Sequence, residues 1–291
     1  MKHEELKDLM ITDCCLINSG SDSLIFELKN GSILKMFNRN GIQSSKYIKN
    51  PNNYIFVKEL KVKMAYNFQK FNEVIIPETI VYDNNDFMGY TMKKNNDKTF
   101  IEIFNESYEN QTIETISNYF YKLEKIVKKG NEQGIVFPDL LTYGNVRYNH
   151  KTDDIILLDY DGFQIKNLPT WDMCSLLHPK INQCLFHKKY LKQNRFTNNI
   201  DKLSIAVGFL LFATNFNIAN HYSKIDKSRE INLILDFIGL DDNSVRYKIL
   251  KLFNNKEDNE YLEEDLLRIA DMYRLEQHNE IPKYRKFVKK R

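Results

Sequence analysis

The stretch GIVFPDLLTYGNVRYNHKTDDIILLDYDGF, residues 134–163, is the most informative part of this chain. It reads as an apolar lead-in, a polar loop, a predicted hairpin and a second acidic turn. Asp139 and Asn145 lie in the first loop, and Asp159 and Asp161 follow the second predicted strand. This pattern predicts that carboxylates and one amide gather at one edge of a small sheet. Oxygen ligands of this kind suit Mg²⁺ and a phosphorylated nucleotide.

Length and composition define the class of protein. The chain has 291 residues, of which 42% are hydrophobic and 28% charged, as in ordinary globular proteins with a real core. The net charge of +3 is too small to indicate nucleic acid binding. No secretory signal is visible and the longest apolar run, residues 203–213, is too short to cross a bilayer. The four cysteines form no CxxC pair, and because no export signal is visible we expect reduced thiols and a cytoplasmic protein.

The N-terminal third has the pattern of a β-sheet. Residues 14–17, 24–28 and 32–37 are predicted strands of a meander, and Asn30-Gly31 is the hairpin signal between the last two. The polar turn before the second strand contains Gly20 and Ser21. It is either a plain surface turn or a turn that lays backbone N–H groups on a phosphate. A second pair of strands is predicted at residues 80–82 and 87–92.

Two charged residues stand out in this region. Lys35 has apolar neighbours on both sides, so it is either an outward-pointing strand residue or a buried phosphate ligand paired with a carboxylate. Residues 54–71 are predicted to form a helix whose apolar stripe is Phe56, Leu60, Met64 and Phe68. Glu59 lies early on this helix, where it is either solvated or the partner of Lys35.

A polar linker at residues 93–99 separates two predicted lobes. Residues 1–94 form a small β-rich lobe with one helix, and residues 95–291 form a mainly helical lobe. The fold class is therefore α+β. Helices of the second lobe are predicted at residues 113–129, 201–216, 231–238, 245–253 and 261–274, and residues 201–216 are apolar nearly all round.

Taken in order, these features resemble the protein kinase superfamily. Residues 17–26 resemble a degenerate glycine-rich loop, and residues 134–140 resemble the GIVHRDL catalytic loop, with Asn145 placed as its metal-binding asparagine. Residues 157–161 resemble the strand leading into DFG, and residues 201–206 are similar to the DxWSxG start of the buried helix F. The last match favours eukaryotic-like protein kinases over aminoglycoside and choline kinases.

Two further similarities point to divergent bacterial kinase-like proteins. The phrase DYDGFQ at residues 159–164 resembles their DxDxFQ, and FMGYTM at residues 87–92 resembles their fifth strand. The resemblance implies a two-lobed kinase-like fold that binds ATP and Mg²⁺ and extends over most of the chain.

The family's functional residues carry over position by position. Asp139 would be the base that accepts the hydroxyl proton, Lys35 would hold the α- and β-phosphates, and Glu59 would fix Lys35. Asn145 and Asp159 would hold Mg²⁺. The nucleotide would be contacted by residues of the first sheet, namely Gly20, Ser21, Lys35, Met88 and Met92, together with Leu24. For Leu24, Met88 and Met92, core packing is the alternative.

The chain also departs from the family pattern. Phe137 and Pro138 replace the usual His-Arg, and five residues separate Asp139 from Asn145 where the family has four. Asp161 replaces the glycine of DFG, and no APE motif is visible. Asp161 is either a further metal ligand or a surface acid, and we favour the surface acid.

Three functions follow from the resemblance. The first is an active ATP-dependent kinase whose acceptor is a serine or threonine of a protein substrate. The second is a pseudokinase that acts as a nucleotide-binding or scaffolding module, because the glycine-rich loop is degenerate and the catalytic loop is lengthened. The third is a kinase for a small molecule, which the missing APE motif allows and the helix F match disfavours.

One group of residues falls outside this interpretation. Cys174, His178, Cys184 and His187 lie within one short segment, and two cysteines with two histidines can bind Zn²⁺ tetrahedrally. Their spacing is not that of a standard zinc knuckle, so packed or exposed side chains are the preferred interpretation.

Overall fold

A computed structural model of the chain describes residues 2–9, 14–20, 22–45, 48–110, 112–142, 144–171, 191–192, 195–214, 231–232, 234–236, 240, 242–254 and 260–276. The chain is α+β, as the sequence predicts, with a mixed six-stranded sheet and several helices. Its internal contacts divide it into two compact units. Unit 1 comprises residues 1–97 and 156–171, and unit 2 comprises residues 98–155 and 172–291. The predicted assignment of residues 1–94 and 95–291 to two kinase lobes stays a prediction.

Unit 1 is built on the six-stranded sheet. Its elements are β1 (Lys2–Glu5), α1 (Leu6–Leu9), β2 (Cys15–Ser19), β3 (Ser23–Glu27), β4 (Ile33–Phe37), α2 (Arg39–Ser44), α3 (Pro51–Met64), a 3₁₀ turn (Ala65–Phe68), β5 (Thr79–Asp83) and β6 (Asp86–Met92). The strand order is β1-β5-β6-β4-β3-β2. Strand β1 is parallel to β5, and the other neighbours are antiparallel. Strand β4 therefore lies inside the sheet, with paired strands on both sides.

The predicted meander and second strand pair are confirmed. The β3–β4 connection is the Asn30-Gly31 hairpin, in which Gly31 has a φ of 79° and Asn30 Oδ1 accepts a hydrogen bond from Ser32 N at 2.9 Å. Gly89 on β6 is needed for the close approach to β4, because a Cβ there would lie 2.0 Å from the Lys35 carbonyl oxygen. Strand β1 has no counterpart among the predicted elements.

Helix α3 covers the sheet with a face different from the predicted one. Its first turn begins as the sequence dictates, since Asn50 caps Asn53 N at 3.0 Å and Pro51 occupies the first helical position. The predicted apolar stripe is wrong, because Phe56 is 54% exposed. The buried face instead carries Tyr54, Val57, Lys58, Lys61 and Val62.

The chain returns to unit 1 at residue 156. Leu157 forms a parallel bridge with Val74: its N–H donates to Glu73 O at 2.8 Å, and its carbonyl accepts from Ile75 N at 2.9 Å. A short 3₁₀ turn (Tyr160–Gly162) and strand β11 (Gln164–Ile165) follow. These backbone bonds attach the acidic turn that contains Asp159 and Asp161 to the unit that contains Lys35.

Unit 2 is mainly helical. Its elements are β7 (Lys98–Thr99), α4 (Phe100–Asn110), α5 (Ile113–Glu132), β8 (Ile135–Val136), β9 (Val146–Asn149), β10 (Asp154–Leu157), which continues into unit 1, β12 (Leu191–Lys192), β13 (Arg195–Phe196), α6 (Asn199–Thr214), α7 (Asn243–Asn254) and α8 (Glu263–Glu276). Strand β9 pairs with β7, and α5 packs against both α6 and α8. The predicted helix at 231–238 is described only in part, where residues 231–232 and 234–236 are helical.

The predicted buried helix is confirmed as α6. Every residue from Ile200 to Thr214 is buried. Gly208 lets α5 and α6 approach, because a Cβ at this position would lie 2.6 Å from Cε1 of Phe120. Among the described residues, no helix is both long and apolar enough to cross a membrane.

A buried acid joins α5 to the start of α8. Glu124 is fully buried, and its Oε1 accepts a hydrogen bond from Leu262 N at 2.9 Å. Burial raises the pKa of Glu124 to about 8, and the nearby charges of Glu263 and Asp265 act in the same direction. The carboxyl group of Glu124 is therefore protonated in the folded protein at neutral pH.

The substitution Glu124→Gln is expected to make stability less sensitive to pH. The pKa of Glu124 is raised on folding, so its contribution to stability is complete below pH 4.5 and is lost as the pH rises to about 8. Glutamine keeps an acceptor for Leu262 N and cannot ionise. At pH 9, the free energy of unfolding of the variant should exceed that of the wild type by a few kcal/mol, since one pKa unit corresponds to about 1.4 kcal/mol. Urea unfolding between pH 5 and pH 9 measures this, with the exposed Glu132→Gln on the same helix as the control. Parallel pH curves for wild type and Glu124→Gln would contradict the prediction.

Candidate functional site

Lys35 lies on β4 and is 5% exposed. Its ammonium group contacts Oδ1 of Asp159 and lies 2.7 Å from Oδ1 of Asp161. The interpretation of Lys35 as an outward-pointing residue is therefore wrong, because Lys35 is buried and paired with carboxylates. Its role as a phosphate ligand stays a prediction. Desolvation alone would lower the pKa of Lys35, but the charges of Asp159 and Asp161 outweigh it and raise the pKa well above its usual value. Lys35 is therefore a fixed cation.

Asp161 is the centre of the cluster, and the expectation that it is a surface acid is wrong. Its side chain is fully buried. Oδ1 accepts from Lys35 and from the Tyr90 hydroxyl at 2.5 Å, and Lys58 Nζ lies 2.8 Å from Oδ2. Burial alone would raise the pKa of Asp161, but Lys35 and Lys58 hold it well below its usual range. Asp161 is therefore an anion that the fold encloses with cations and a hydroxyl.

Two lysines on α3 contact this acidic turn. Lys58 and Lys61 are 1% and 0% exposed, and both donate to the backbone carbonyl of Asp161, at 3.2 and 3.0 Å. Lysine is almost never fully buried unless it is paired. The helix therefore presents cations, and not the predicted apolar stripe, to the segment that returns at residue 156.

A third acid completes the charge balance. Asp22, at the start of β3, accepts a hydrogen bond from the Tyr54 hydroxyl at 2.7 Å. Burial would raise its pKa, but the charges of Lys58 and Lys35 prevail and lower it. Three lysines, Lys35, Lys58 and Lys61, thus balance three carboxylates, those of Asp22, Asp159 and Asp161.

Glu59 does not pair with Lys35, so that predicted interaction is wrong. Its Oε1 lies 2.6 Å from Lys63 Nζ and accepts from the Tyr82 hydroxyl at 3.0 Å. Glu59 lies one residue after Lys58, and the 100° step between consecutive helical residues places it on a different face of α3. The carboxylates that contact Lys35 come from the returning segment and not from the helix.

Asp159 differs from Asp161 in access to solvent. Its side chain is 24% exposed, whereas that of Asp161 is 0% exposed. The backbone of Asp159 adopts the left-handed helical conformation, with φ 64° and ψ 45°. A left-handed non-glycine residue is uncommon, and such strained residues cluster at functional sites. Of the two carboxylates that contact Lys35, Asp159 is the one that a metal ion can reach from solvent.

The other residues predicted to contact a nucleotide lie on the same sheet. Gly20 N donates to Ser23 O at 2.8 Å in the turn before β3, and Ser21 lies outside the described residues. Leu24 is half-buried opposite Met36. Met88 and Met92 are half-buried and pack against the core clusters of the sheet, which is the packing alternative named above. Their contact with an adenine ring stays a prediction.

The predicted catalytic loop lies in unit 2, where Asp139 and Asn145 are close together. Asn145 Nδ2 donates to the backbone carbonyl of Asp139 at 2.9 Å and lies 3.2 Å from Oδ2 of Asp139. The Thr142 hydroxyl donates to Oδ1 of Asp139. The extra residue between Asp139 and Asn145 therefore leaves the two side chains in hydrogen-bond contact.

The same loop is fixed by the buried helix α6. Oδ1 of Asp201 accepts a hydrogen bond from Phe137 N at 2.8 Å, and Oδ2 accepts from Asn131 Nδ2 at 2.7 Å. Burial raises the pKa of Asp201 to about 7 in spite of these bonds. Phe137 precedes Asp139 by two residues, so Asp201 positions the backbone that leads into Asp139.

No ready-made metal cage exists in the described part of the chain, where no three or more His, Cys, Asp or Glu side chains form a metal-binding group. Mg²⁺ does not need one, because it is usually held by one or two carboxylates together with water and substrate phosphates. The candidate zinc ligands Cys174, His178, Cys184 and His187 lie outside the described residues.

Sequence reasoning missed Tyr90, Lys58 and Lys61. One signal for the lysines was present: they are three residues apart and interleave with Val57 and Val62, which places them on one helical face with apolar residues. Tyr90 had no comparable signal, because a tyrosine in an apolar strand is ordinary.

No protein-family model matches this chain, and no curated protein matches it.

Proposed function

We propose that this chain is an ATP- and Mg²⁺-dependent phosphotransferase with a divergent, two-lobed protein-kinase-like fold. The observation that supports this proposal is the ion pair of Lys35 with Asp159, two residues 124 positions apart in sequence. A buried cation beside a partly exposed carboxylate supplies one group for a phosphate and one for a metal ion. In this proposal, unit 1 is the nucleotide-binding lobe and unit 2 the lobe with the catalytic loop.

The residues of unit 1 have separate roles in this reaction. The Asp159 carboxylate fits Mg²⁺ because it is an oxygen donor with solvent access. When bound, Mg²⁺ neutralises charge on the phosphate oxygens. Lys35 would release Asp159 and hold the α- and β-phosphates. Because Lys35 also contacts Asp161, it would stay paired with Asp161 when Asp159 binds Mg²⁺.

In unit 2, Asp139 would accept the proton of the acceptor hydroxyl. Thr142 and Asn145 hold its carboxylate and backbone, so the base has a defined orientation. The metal-ligand role of Asn145 rests on the resemblance alone. A protein serine or threonine is the preferred acceptor, because residues 201–206 resemble helix F of the protein kinases. A small-molecule acceptor is the alternative, and acceptor profiling separates the two.

A pseudokinase is the second candidate. It is favoured by the pairing of Glu59 with Lys63 and Tyr82, which leaves Lys35 without the helix carboxylate that the kinase family uses. Such a protein would bind nucleotide and show no turnover. Robust phosphotransfer by the purified wild type would rule it out.

The test of nucleotide binding is thermal stability with and without Mg·ATP. A ligand that binds the folded state alone stabilises it by about 2.7 kcal/mol at a hundredfold excess over Kd. We expect a Mg²⁺-dependent rise in Tm for the wild type that Asp159→Ala loses. The matched control is Asp86→Ala, which removes a carboxylate that is 70% exposed in the same unit and should keep the shift. No shift in the wild type would contradict the proposed nucleotide site.

A further inference from the structure

Two carboxylates contact the ammonium group of Lys35, and they differ in solvent exposure. Asp159 is 24% exposed, whereas Asp161 is completely buried. A metal ion arriving from solvent can therefore bind Asp159 and cannot bind Asp161 without disrupting the core.

The position of Asp161 is determined from several directions. Tyr90 holds Oδ1 at 2.5 Å, Lys58 Nζ lies 2.8 Å from Oδ2, and Lys61 binds its backbone carbonyl at 3.0 Å. Tyr90 is also the residue directly opposite Lys35 in the β4–β6 register. Strand β6 and helix α3 therefore hold Asp161 in place, and Asp161 in turn holds the end of the Lys35 side chain.

The competing candidate for this role is Glu59, and its contacts exclude it. Its carboxylate is engaged by Lys63 and Tyr82. The helix that carries Glu59 contributes lysines to the cluster and leaves the carboxylate to the segment after residue 156.

We propose that Asp161, held by Tyr90 and Lys58, is the positioning residue that orients Lys35 toward a nucleotide phosphate, while Asp159 leaves Lys35 to bind the metal ion. This inference rests on the proposed nucleotide site. In the kinase family, a glutamate on the helix fixes the strand lysine. Here the helix instead contributes lysines that hold Asp161, and Asp161 holds Lys35.

Tyr90→Phe tests this role without changing any charge. It removes the hydroxyl that donates to Asp161 and keeps the ring that fills the core. The matched control is Tyr82→Phe, which removes a hydroxyl that donates to Glu59 from the neighbouring strand. Calorimetry measures the Kd of Mg·ATP and, separately, the Kd of adenosine, which has no phosphate for Lys35 to hold.

We expect Tyr90→Phe to raise the Kd of Mg·ATP roughly tenfold, which is the effect of losing one hydrogen bond to a charged group. The Kd of adenosine should be unchanged. Tyr82→Phe should change neither. The ammonium ¹⁵N–¹H resonance of Lys35, assigned with Lys35→Arg, should shift in Tyr90→Phe and stay in place in Tyr82→Phe.

The failures are distinguishable. If the wild type binds neither Mg·ATP nor adenosine, the proposed function is wrong and this inference falls with it. If the wild type binds Mg·ATP and Tyr90→Phe binds it equally well, only the positioning role is wrong. If Tyr90→Phe loses affinity for Mg·ATP and for adenosine equally, the substitution has damaged the sheet in general, and this result would also overturn the positioning role.

Discussion

Asp161→Asn is expected to lower the free energy of unfolding by about 3–5 kcal/mol, the loss that follows when one partner of a buried ion pair is removed. Lys35 and Lys58 would then share a buried site with a neutral amide. Asparagine has the same shape, so the loss reports charge and not volume. Guanidinium unfolding followed by circular dichroism measures it.

Three further variants show whether the loss comes from the cluster. Glu59→Gln removes a charge from the partly exposed pair with Lys63 and should change stability by at most about 1 kcal/mol. The loss of stability in Asp159→Asn should lie between those of Glu59→Gln and Asp161→Asn, because Asp159 is partly exposed and Asp161 remains to pair with Lys35. The double variant Asp161→Asn/Lys58→Met should recover part of the loss, since it also removes the buried cation that has lost the Asp161 carboxylate. If Asp161→Asn is no less stable than Glu59→Gln, the cluster does not determine stability.

Asp139→Asn is expected to lower the rate of phosphotransfer by about 10²- to 10⁴-fold, the usual contribution of a general base. The amide cannot accept a proton. Asn145 also donates to the backbone carbonyl of residue 139, which the substitution leaves in place. The Mg·ATP-dependent rise in Tm should therefore be unchanged. The assay follows transfer of the γ-phosphate to a protein acceptor under single-turnover conditions.

Asp153→Asn is the matched control in the same unit. Its carboxylate pairs with Lys122 and its side chain is 59% exposed, so its loss should leave the rate unchanged. Full activity in Asp139→Asn would show that Asp139 is not the base. Loss of both transfer and the Mg·ATP shift would show that the substitution disturbs nucleotide binding, and would also contradict the assigned role.

The candidate site was partly visible in the sequence. Lys35 stood out because apolar residues flank it, and Asp159 and Asp139 stood out because each follows an apolar strand. Only the structure separates the two interpretations of Lys35, because the carboxylates that contact it are 124 and 126 residues away. Local sequence cannot contain a partner at that distance.

By itself, the sequence determined the elements whose cause is local. The hairpin at Asn30-Gly31 follows from backbone conformation, and the buried helix α6 follows from a continuous apolar run. Helix α5 follows from its 3.6-residue periodicity. Only the tertiary structure decided which face of α3 is buried and where Asp161 lies. A lysine is almost never fully buried unless it is paired. The partner is Asp161, about 100 residues further along the chain, which contacts Lys58 through its carboxylate and its carbonyl and Lys61 through its carbonyl. Periodicity records the preference of each side chain for water or the core, and a buried ion pair depends instead on two side chains that meet only after folding.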